Sequence, residues 1–197
     1  FERLYGCAPD FEIRGLRIEG KMGEERTLLS DEGVAGKIRE LAAGIRKRCG
    51  DEMPAFVGVY TRGVTLARRV KEVLRDEWPD VQLGTLDISL YRDDLDDLEK
   101  APKLESSDIP FSLEGARVVI FDEVMYTGRT ARAALDVLMD YGRPSRVELA
   151  VLVDRGNREL PLQPDYVGLK VDTKQGDYVA VQFAEDDNRE GVFLVEN

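Results

Sequence analysis

Histidine is absent from this 197-residue chain, tryptophan occurs once, and cysteine occurs only as Cys7 and Cys49. Without an imidazole there is no Ser-His-Asp or Cys-His nucleophile, no histidine acid-base pair and no His-ligated zinc. The two cysteines lack CxxC spacing, so a thiolate metal cluster is excluded too; with no secretion signal they are expected to be reduced thiols of a cytoplasmic protein. No apolar run approaches the roughly 20 residues that a membrane span requires. The first residues carry charges every few positions and show no apolar h-region. Positive charge is in deficit as well, with 28 Lys and Arg against 39 Asp and Glu, a formal net charge of -11. That balance argues against general nucleic-acid binding, which depends on clustered cations. A local basic face remains available from Arg39, Arg46, Lys47, Arg48, Arg68, Arg69 and Lys71, while acids gather between Asp87 and Asp108 and after Glu185.

Apolar residues make up 43% of the chain, enough for one sizeable core without disulfides. Residues 1–26 are expected to be an N-terminal extension, with Met22 a possible natural start, and residues 27–197 a single domain. Ser30, Asp31 and Glu32 mark a helix start, Val34, Ile38, Leu41, Ala42 and Ile45 follow at helical spacing, and Cys49-Gly50 marks the stop. Ala55 to Tyr60 reads as a buried strand, Thr61-Arg62-Gly63 as a tight turn, and Val64 to Trp78 as a helix ended by Pro79. Gln82 to Leu90 is a further expected strand. A polar stretch at about 91–110 has little periodicity and the length of a functional lid. Val118 to Asp122 is an apolar strand, Arg129 to Tyr141 a helix closed by Gly142, and Arg146 to Asp154 a strand of the buried, parallel type. Tyr166 to Gly168, Asp177 to Phe183 and Gly191 to Val195 read as shorter strands, antiparallel and peripheral. This alternation implies an α/β, doubly wound and mainly parallel sheet, whose ligands bind outside the carboxyl ends of its strands.

That rule singles out VVIFDEVMYTGRTARAAL, Val118 to Leu135. Asp122 and Glu123 fall at the end of a central strand, and Tyr126-Thr127-Gly128-Arg129-Thr130 occupies the turn and first helical residues, where unpaired N–H groups and the helix dipole favour a phosphate. Two carboxylates facing an anion would repel it, so they suit the hydroxyls of a polyol or a metal; a ribose 5-phosphate has both ends. From the residues alone, plain turn capping by Asp122 and Thr127 stays open. No GxxxxGK[ST] loop and no GxGxxG follows any expected strand.

The run DEVMYTGRT resembles the PRPP-binding signature of type I phosphoribosyltransferases. LDISLYRDDL, DIPF, YTGRTARAALD, YGRP and LAVLVDRGNRELP, in that order over roughly residues 27 to 183, are similar to the pyrimidine-operon regulator and uracil phosphoribosyltransferase family, PyrR. The resemblance implies the type I phosphoribosyltransferase fold, with helices on both faces of the sheet and a small hood. It implies that Asp122 and Glu123 hold the ribose hydroxyls of PRPP and that Tyr126, Thr127, Gly128, Arg129 and Thr130 wrap its 5-phosphate, with Val124 and Met125 also among the substrate-binding residues. Thr61, Arg62 and Gly63 would meet pyrophosphate, Arg92 would reach it from the lid, and Asp154 and Arg155 would lie beside uracil, although a structural Asp-Arg turn competes there. Catalysis would rest on Asp122, Glu123, Arg62 and Arg92, with Mg2+ entering together with PRPP, and uracil converted to UMP. A homodimer or a dimer of dimers is implied, and no membrane.

Two departures bear on function. Many family members read Asp-Asp where this chain has Asp122-Glu123, so the charge is kept and the reach lengthens. After the VDRG turn the chain has Asn157, Gln163, Leu169, Asp172 and Lys174 where others carry histidine and more basic residues; Arg158 and Lys170 remain. Specific RNA binding is therefore expected to be weak. Two other readings stay open at this point: an RNA-binding attenuator whose pocket senses UMP or UTP, and a purine-type phosphoribosyltransferase.

Overall fold

A computed structural model describes residues 25–89 and 106–196, together with the backbone of Glu12–Ile13 (β1) and Leu16–Arg17 (β2), which pair with each other. Arg92, Cys7 and the lid expected at 91–110, up to residue 105, lie outside the described residues. After Glu25–Leu29 (β3) come Asp31–Cys49 (α1), Ala55–Val59 (β4), Arg62–Val73 (α2), Leu83–Leu86 (β5), Arg117–Met125 (β6), Arg129–Asp140 (α3) and Arg146–Asp154 (β7). Tyr166–Lys170 (β8), Tyr178–Gln182 (β9), Ala184–Asp187 (α4) and Gly191–Val195 (β10) complete the order.

Helix α1 begins and ends where its residues dictate. The Ser30 hydroxyl accepts the Gly33 N–H at 3.3 Å, Asp31 and Glu32 fill the first turn, and Gly50 closes the helix with φ 60°. Helix α2 is shorter than its apolar spacing suggests: it gives way after Val73 to turns that carry buried Trp78 back toward the core, with the Trp78 N–H bonded to the Leu74 carbonyl.

Five parallel strands lie in the order β5-β4-β6-β7-β8. From β4 the chain steps to β5 on one side, then crosses to β6 on the other. The direction of winding thus reverses between β4 and β6, and in open α/β sheets this switch point is where ligands bind. One face of the sheet packs Phe56, Val119, Phe121 and Leu152 against Ile38, Leu41 and Ile45 of α1 and Leu66 and Val70 of α2. The other packs Val57, Val118 and Ile120 against Ala133, Val137 and Leu138 of α3. Helices therefore cover both faces, as the alternation of elements implies.

Three strand expectations are corrected. Strand β8 is parallel to β7, not antiparallel, because residues 155–165 carry the chain back along the sheet and the Asp165 N–H bonds the Leu149 carbonyl before β8 begins. Strand β6 continues past Asp122 to Met125, in unbroken register with β7. Strand β3 was not visible in the sequence, because its pattern is exposed over Glu25–Thr27; it is held by pairing with β10, which also pairs with β9. The expected antiparallel character of β9 and β10 is found.

The amino-terminal end of the sheet carries a buried charge network remote from the strands' carboxyl ends. Glu148, its side chain 1% exposed, accepts from Arg117 Nε at 2.8 Å and from Arg48 Nε at 2.9 Å, with Arg146 at 3.4 Å. Burial alone would raise the Glu148 pKa, but the hydrogen bond and charge of Arg117, with Arg48 and Arg146 behind it, hold the carboxyl below its ordinary value. Breaking a buried pair from one side is costly because the partner charge stays buried. Glu148→Gln is expected to cost about 3 kcal/mol, which lowers the thermal midpoint by roughly 6–12 °C for a chain of this size. Because the folded pKa is depressed, this stabilisation is present above the unfolded value of about 4.3 and disappears as pH falls through the folded value. Denaturant titrations from pH 7 to 3 should show wild type and Glu148→Gln converging on the acid side; a gap constant with pH would refute the assignment.

Candidate active site

Three strand ends face one side of the switch point. The β4 end leads into Thr61 and Arg62, the β6 end into Tyr126-Thr127-Gly128, and the β7 end into Asp154 and Arg155. Neither α2 nor α3 has an acid in its first turn, unlike α1, whose Asp31 and Glu32 satisfy its own dipole. The two helices that begin at the site thus keep their positive ends for an anion. At the start of α3, Gly128 takes φ 96°, a left-handed conformation suited to glycine, and the Arg129 N–H rests on the Thr127 hydroxyl at 3.4 Å. Thr130 is the second residue of that helix.

Asp122 and Glu123 are only 4% and 5% exposed, and the Glu123 N–H bonds Asp122 Oδ1 at 3.0 Å. Ile120 belongs to the cluster under α3 and Phe121 to the cluster under α1 and α2. The alternation does not continue past Phe121, because Val124 packs with the cluster under α1 and α2 and Met125 with Ala131 of α3. Glu123 lies within electrostatic reach of Arg62 of α2, being among the charges that favour its protonated form. Val124 and Met125 have core side chains, the latter packed with Ala131 and Val151, and the Met125 carbonyl accepts the Arg155 N–H at 3.0 Å.

On the β4 side the Tyr60-Thr61 peptide is cis, and Gly63 lets α2 lie directly on β6. Arg62 is bound through two nitrogens by the Asp187 carboxylate, with Nε to Oδ2 at 2.9 Å and Nη2 to Oδ1. Burial alone would lower the Arg62 pKa, but the Asp187 bond and the charges of Asp187 and Glu123 outweigh it and raise it.

The segment after β7 supports the turn between β6 and α3. Arg158 donates through Nη2 to Asp154 Oδ1 at 2.7 Å, through Nη1 to the Tyr126 carbonyl at 2.8 Å and through Nε to the Leu162 carbonyl at 3.1 Å. The N–H groups of Glu159 and Leu160 both bond the Thr127 carbonyl at 3.0 Å, and Arg129 Nε reaches Glu159 at 2.8 Å. Arg155 is buried, its guanidinium 4.0 Å from the Tyr126 ring centroid and bonded through Nη2 to the Asp177 carbonyl at 2.6 Å. Burial lowers its pKa despite the nearby charge of Asp177. Asp154 and Arg155 thus have structural partners that tie the DRGNR run to the turn between β6 and α3 and to the turn before β9.

Sequence reasoning missed Arg158 as a strut, Asp187 as the partner of Arg62, and Tyr178, which lies within electrostatic reach of both Arg62 and Arg155. For Arg158 a signal existed in its spacing of four from Asp154. Asp187 had only the acid run after Glu185, which does not say what it faces.

Comparisons with known proteins agree with this geometry. The phosphoribosyl transferase domain family matches residues 26–188. A bifunctional protein PyrR of Akkermansia muciniphila is 45% identical over 170 residues, 86% of this chain and 96% of the relative. Another from Thermus thermophilus is 49% identical over 148 residues, covering 75% and 82% of the two chains. In the fold, a hypoxanthine-guanine phosphoribosyltransferase of Bacillus anthracis superposes with a TM-score of 0.65 at 19% identity, over 89% of this chain and 99% of that one. A Trypanosoma cruzi hypoxanthine phosphoribosyl transferase gives 0.67 at 19% identity, over 91% and 94%. A central strand that carries a buried acid pair and leads into the turn before α3, in a chain 45% and 49% identical to the two PyrR proteins, makes it a member of the phosphoribosyltransferase family and, within that, of the bifunctional PyrR proteins.

Proposed function

We propose that the chain transfers the phosphoribosyl group of PRPP to uracil, giving UMP and pyrophosphate. The observation that carries this reading is the run from β6 into α3: two buried carboxylates lie near the end of the strand, and an acid-free helix start over Gly128 follows within a few residues. The ribose hydroxyls donate to Asp122 and Glu123, while Thr127, Gly128, Arg129 and Thr130 hold the 5-phosphate. In the reaction the bond from ribose C1′ to the pyrophosphate oxygen breaks, a bond from C1′ to uracil N1 forms, and the N1 proton is lost. Positive charge builds on the sugar and negative charge on the leaving group, so fixed electrostatics and positioning matter more than a strong base. Arg62 meets the leaving pyrophosphate, and Arg92 is proposed to join it.

Among the described residues no three ligating side chains converge on a metal position. Asp122 and Glu123 offer the hard oxygen donors that suit Mg2+, an ion that takes few protein ligands and shares substrate oxygens. When bound with PRPP it supplies neutralisation of the pyrophosphate charge.

The attenuator reading has less support. Arg158, one of the cations left after the DRG turn, is 13% exposed and engaged by Asp154 and three carbonyls, which removes it from any RNA-facing surface. Lys170 and Lys174 are others. No helix is long and apolar enough to cross a membrane among the described residues.

Incubation with PRPP, Mg2+ and separately uracil, orotate, hypoxanthine or guanine tests the proposal. UMP with uracil alone is expected. Product only with a purine would favour the purine reading, and no product with any base, alongside a gel shift by a pyrimidine leader RNA at physiological salt, would favour the attenuator.

A further inference from the structure

Helix α2 and the segment from Phe183 to Glu190 meet through a row of charged and polar pairs. Arg62, Thr65 and Arg69 share one face of α2 by their spacing of three and four. Thr65 Oγ1 donates to Asp186 at 2.7 Å. Arg69 reaches Glu185 through Nε at 2.9 Å and Glu190 through Nη1 at 2.6 Å, and its guanidinium lies 4.7 Å from the Phe183 ring centroid. Glu190 also accepts the Ala184 N–H at 2.9 Å. These contacts fix the short turn of α4 against α2. The turn in turn fixes Asp187, whose Oδ2 accepts the Phe183 N–H at 3.0 Å and whose own N–H bonds the Phe183 carbonyl at 2.8 Å.

Asp187 then takes Arg62 by a single edge, Nε and Nη2. A guanidinium has five N–H donors in a rigid plane, and a carboxylate forked on that edge uses two of them. The opposite edge, built from Nη1 and the second hydrogen of Nη2, keeps the geometry for a second two-point contact, the kind a phosphate accepts. Both side chains are mostly buried, 18% exposed for Arg62 and 11% for Asp187, so the pair is protected from the solvent screening that weakens surface ion pairs.

We propose that Asp187 is a positioning residue for Arg62: it clamps one edge of the guanidinium so that the other is presented to the pyrophosphate of PRPP. The inference rests on the reading of Arg62 as a pyrophosphate ligand. An opposite role is physically conceivable for the same contact, since a carboxylate beside Arg62 also repels pyrophosphate and competes for its donors. The two roles differ in sign. Clamping needs both the charge and the length of Asp187, whereas competition needs the charge alone.

The test uses steady-state kinetics of the full chain with PRPP and uracil varied separately, and folding checked by circular dichroism. Arg62→Lys is expected to raise the KM for PRPP and leave that for uracil unchanged. Asp187→Asn and Asp187→Glu should each raise the KM for PRPP by on the order of tenfold, again without moving the KM for uracil. In the Arg62→Lys background Asp187→Asn should add little, because the group it positions is gone. A lower KM for PRPP in Asp187→Asn would overturn the clamp in favour of competition. Wild-type kinetics in Asp187→Glu, or additive effects of Asp187→Asn and Arg62→Lys, would overturn it too, while leaving the Arg62 result standing. No change in Arg62→Lys would remove the reading of Arg62 and the inference with it. Should Asp187→Asn not fold, Asp187→Glu alone and in the Arg62→Lys background carries the test.

Discussion

Asp122→Asn is expected to lower kcat/KM for PRPP by about a hundredfold or more, on the footing that a hydrogen bond to a charged group contributes roughly 1.5–3 kcal/mol and two vicinal hydroxyls are at stake. The substitution conserves shape. The amide oxygen can still accept the Glu123 N–H that now rests on Asp122 Oδ1 at 3.0 Å, so the strand end keeps its local bond. What is lost is the anion, at a position 4% exposed where water does not replace it. The loss should fall on PRPP and on kcat, since sugar hydroxyls and developing positive charge on the ribose both depend on that carboxylate, and the KM for uracil should stay near wild type. Folding is checked by circular dichroism. Unchanged kinetics in a folded Asp122→Asn protein would reduce Asp122 to a cap on the turn after β6.

How much of this was legible in the sequence depends on the range of the interaction that decides each feature. Strand β7 was readable to the residue, because a buried parallel strand needs a near-continuous apolar run and Arg146 to Asp154 supplies one between turn signals. The ends of α1 were readable for the same reason: a cap and a left-handed glycine act within a turn of the residues that name them. The site's location followed from placing an acid pair at the end of an apolar strand. Its internal division did not. Strand β6 runs on past the acid pair to Met125 because β7 continues to pair with it, and the acids themselves do not announce that continuation. The partner of Arg62 lies 125 residues along the chain, and no local pattern records which acid of the run Glu185-Asp186-Asp187 turns toward it. Asp154 and Arg155 show the same limit from the other side. Read locally, the DRG turn suits a ligand; in three dimensions Arg158, Tyr126 and the Asp177 carbonyl surround it.

Gly63→Ala is expected to lower both stability and activity, and the physical reason separates it from an ordinary glycine in a helix. On helix propensity alone, alanine is favoured over glycine by about 1 kcal/mol, so a merely permissive glycine in the first turn of α2 would be stabilised by the change. The surroundings reverse the sign. A Cβ at position 63 would stand 2.3 Å from the Phe121 carbonyl oxygen, 3.1 Å from its carbonyl carbon and 3.2 Å from Asp122 Cα. All three are backbone atoms of the central strand β6, which is paired on both sides and cannot yield as a side chain would. Gly58 removes the escape in the other direction, because its own α-hydrogen side faces Val64, where a Cβ would meet Val64 Cα at 2.4 Å. The start of α2 must therefore lift away from the sheet. Overpacking of this kind costs about 1–3 kcal/mol, or roughly 2–12 °C in the thermal midpoint. The functional cost is larger, because the lift moves Thr61 and Arg62 relative to Asp122 and Glu123, the two halves of the site proposed to hold opposite ends of one ligand. A misplacement of about 1 Å in a catalytic constellation is worth on the order of a hundredfold in rate, and that is the loss in kcat/KM for PRPP expected here. Calorimetric unfolding with steady-state kinetics on the same preparation decides it. A higher midpoint with unchanged kinetics would show that the glycine is merely permissive, and that the close seat of α2 on β6 does not set the distance between the arginine and the acids.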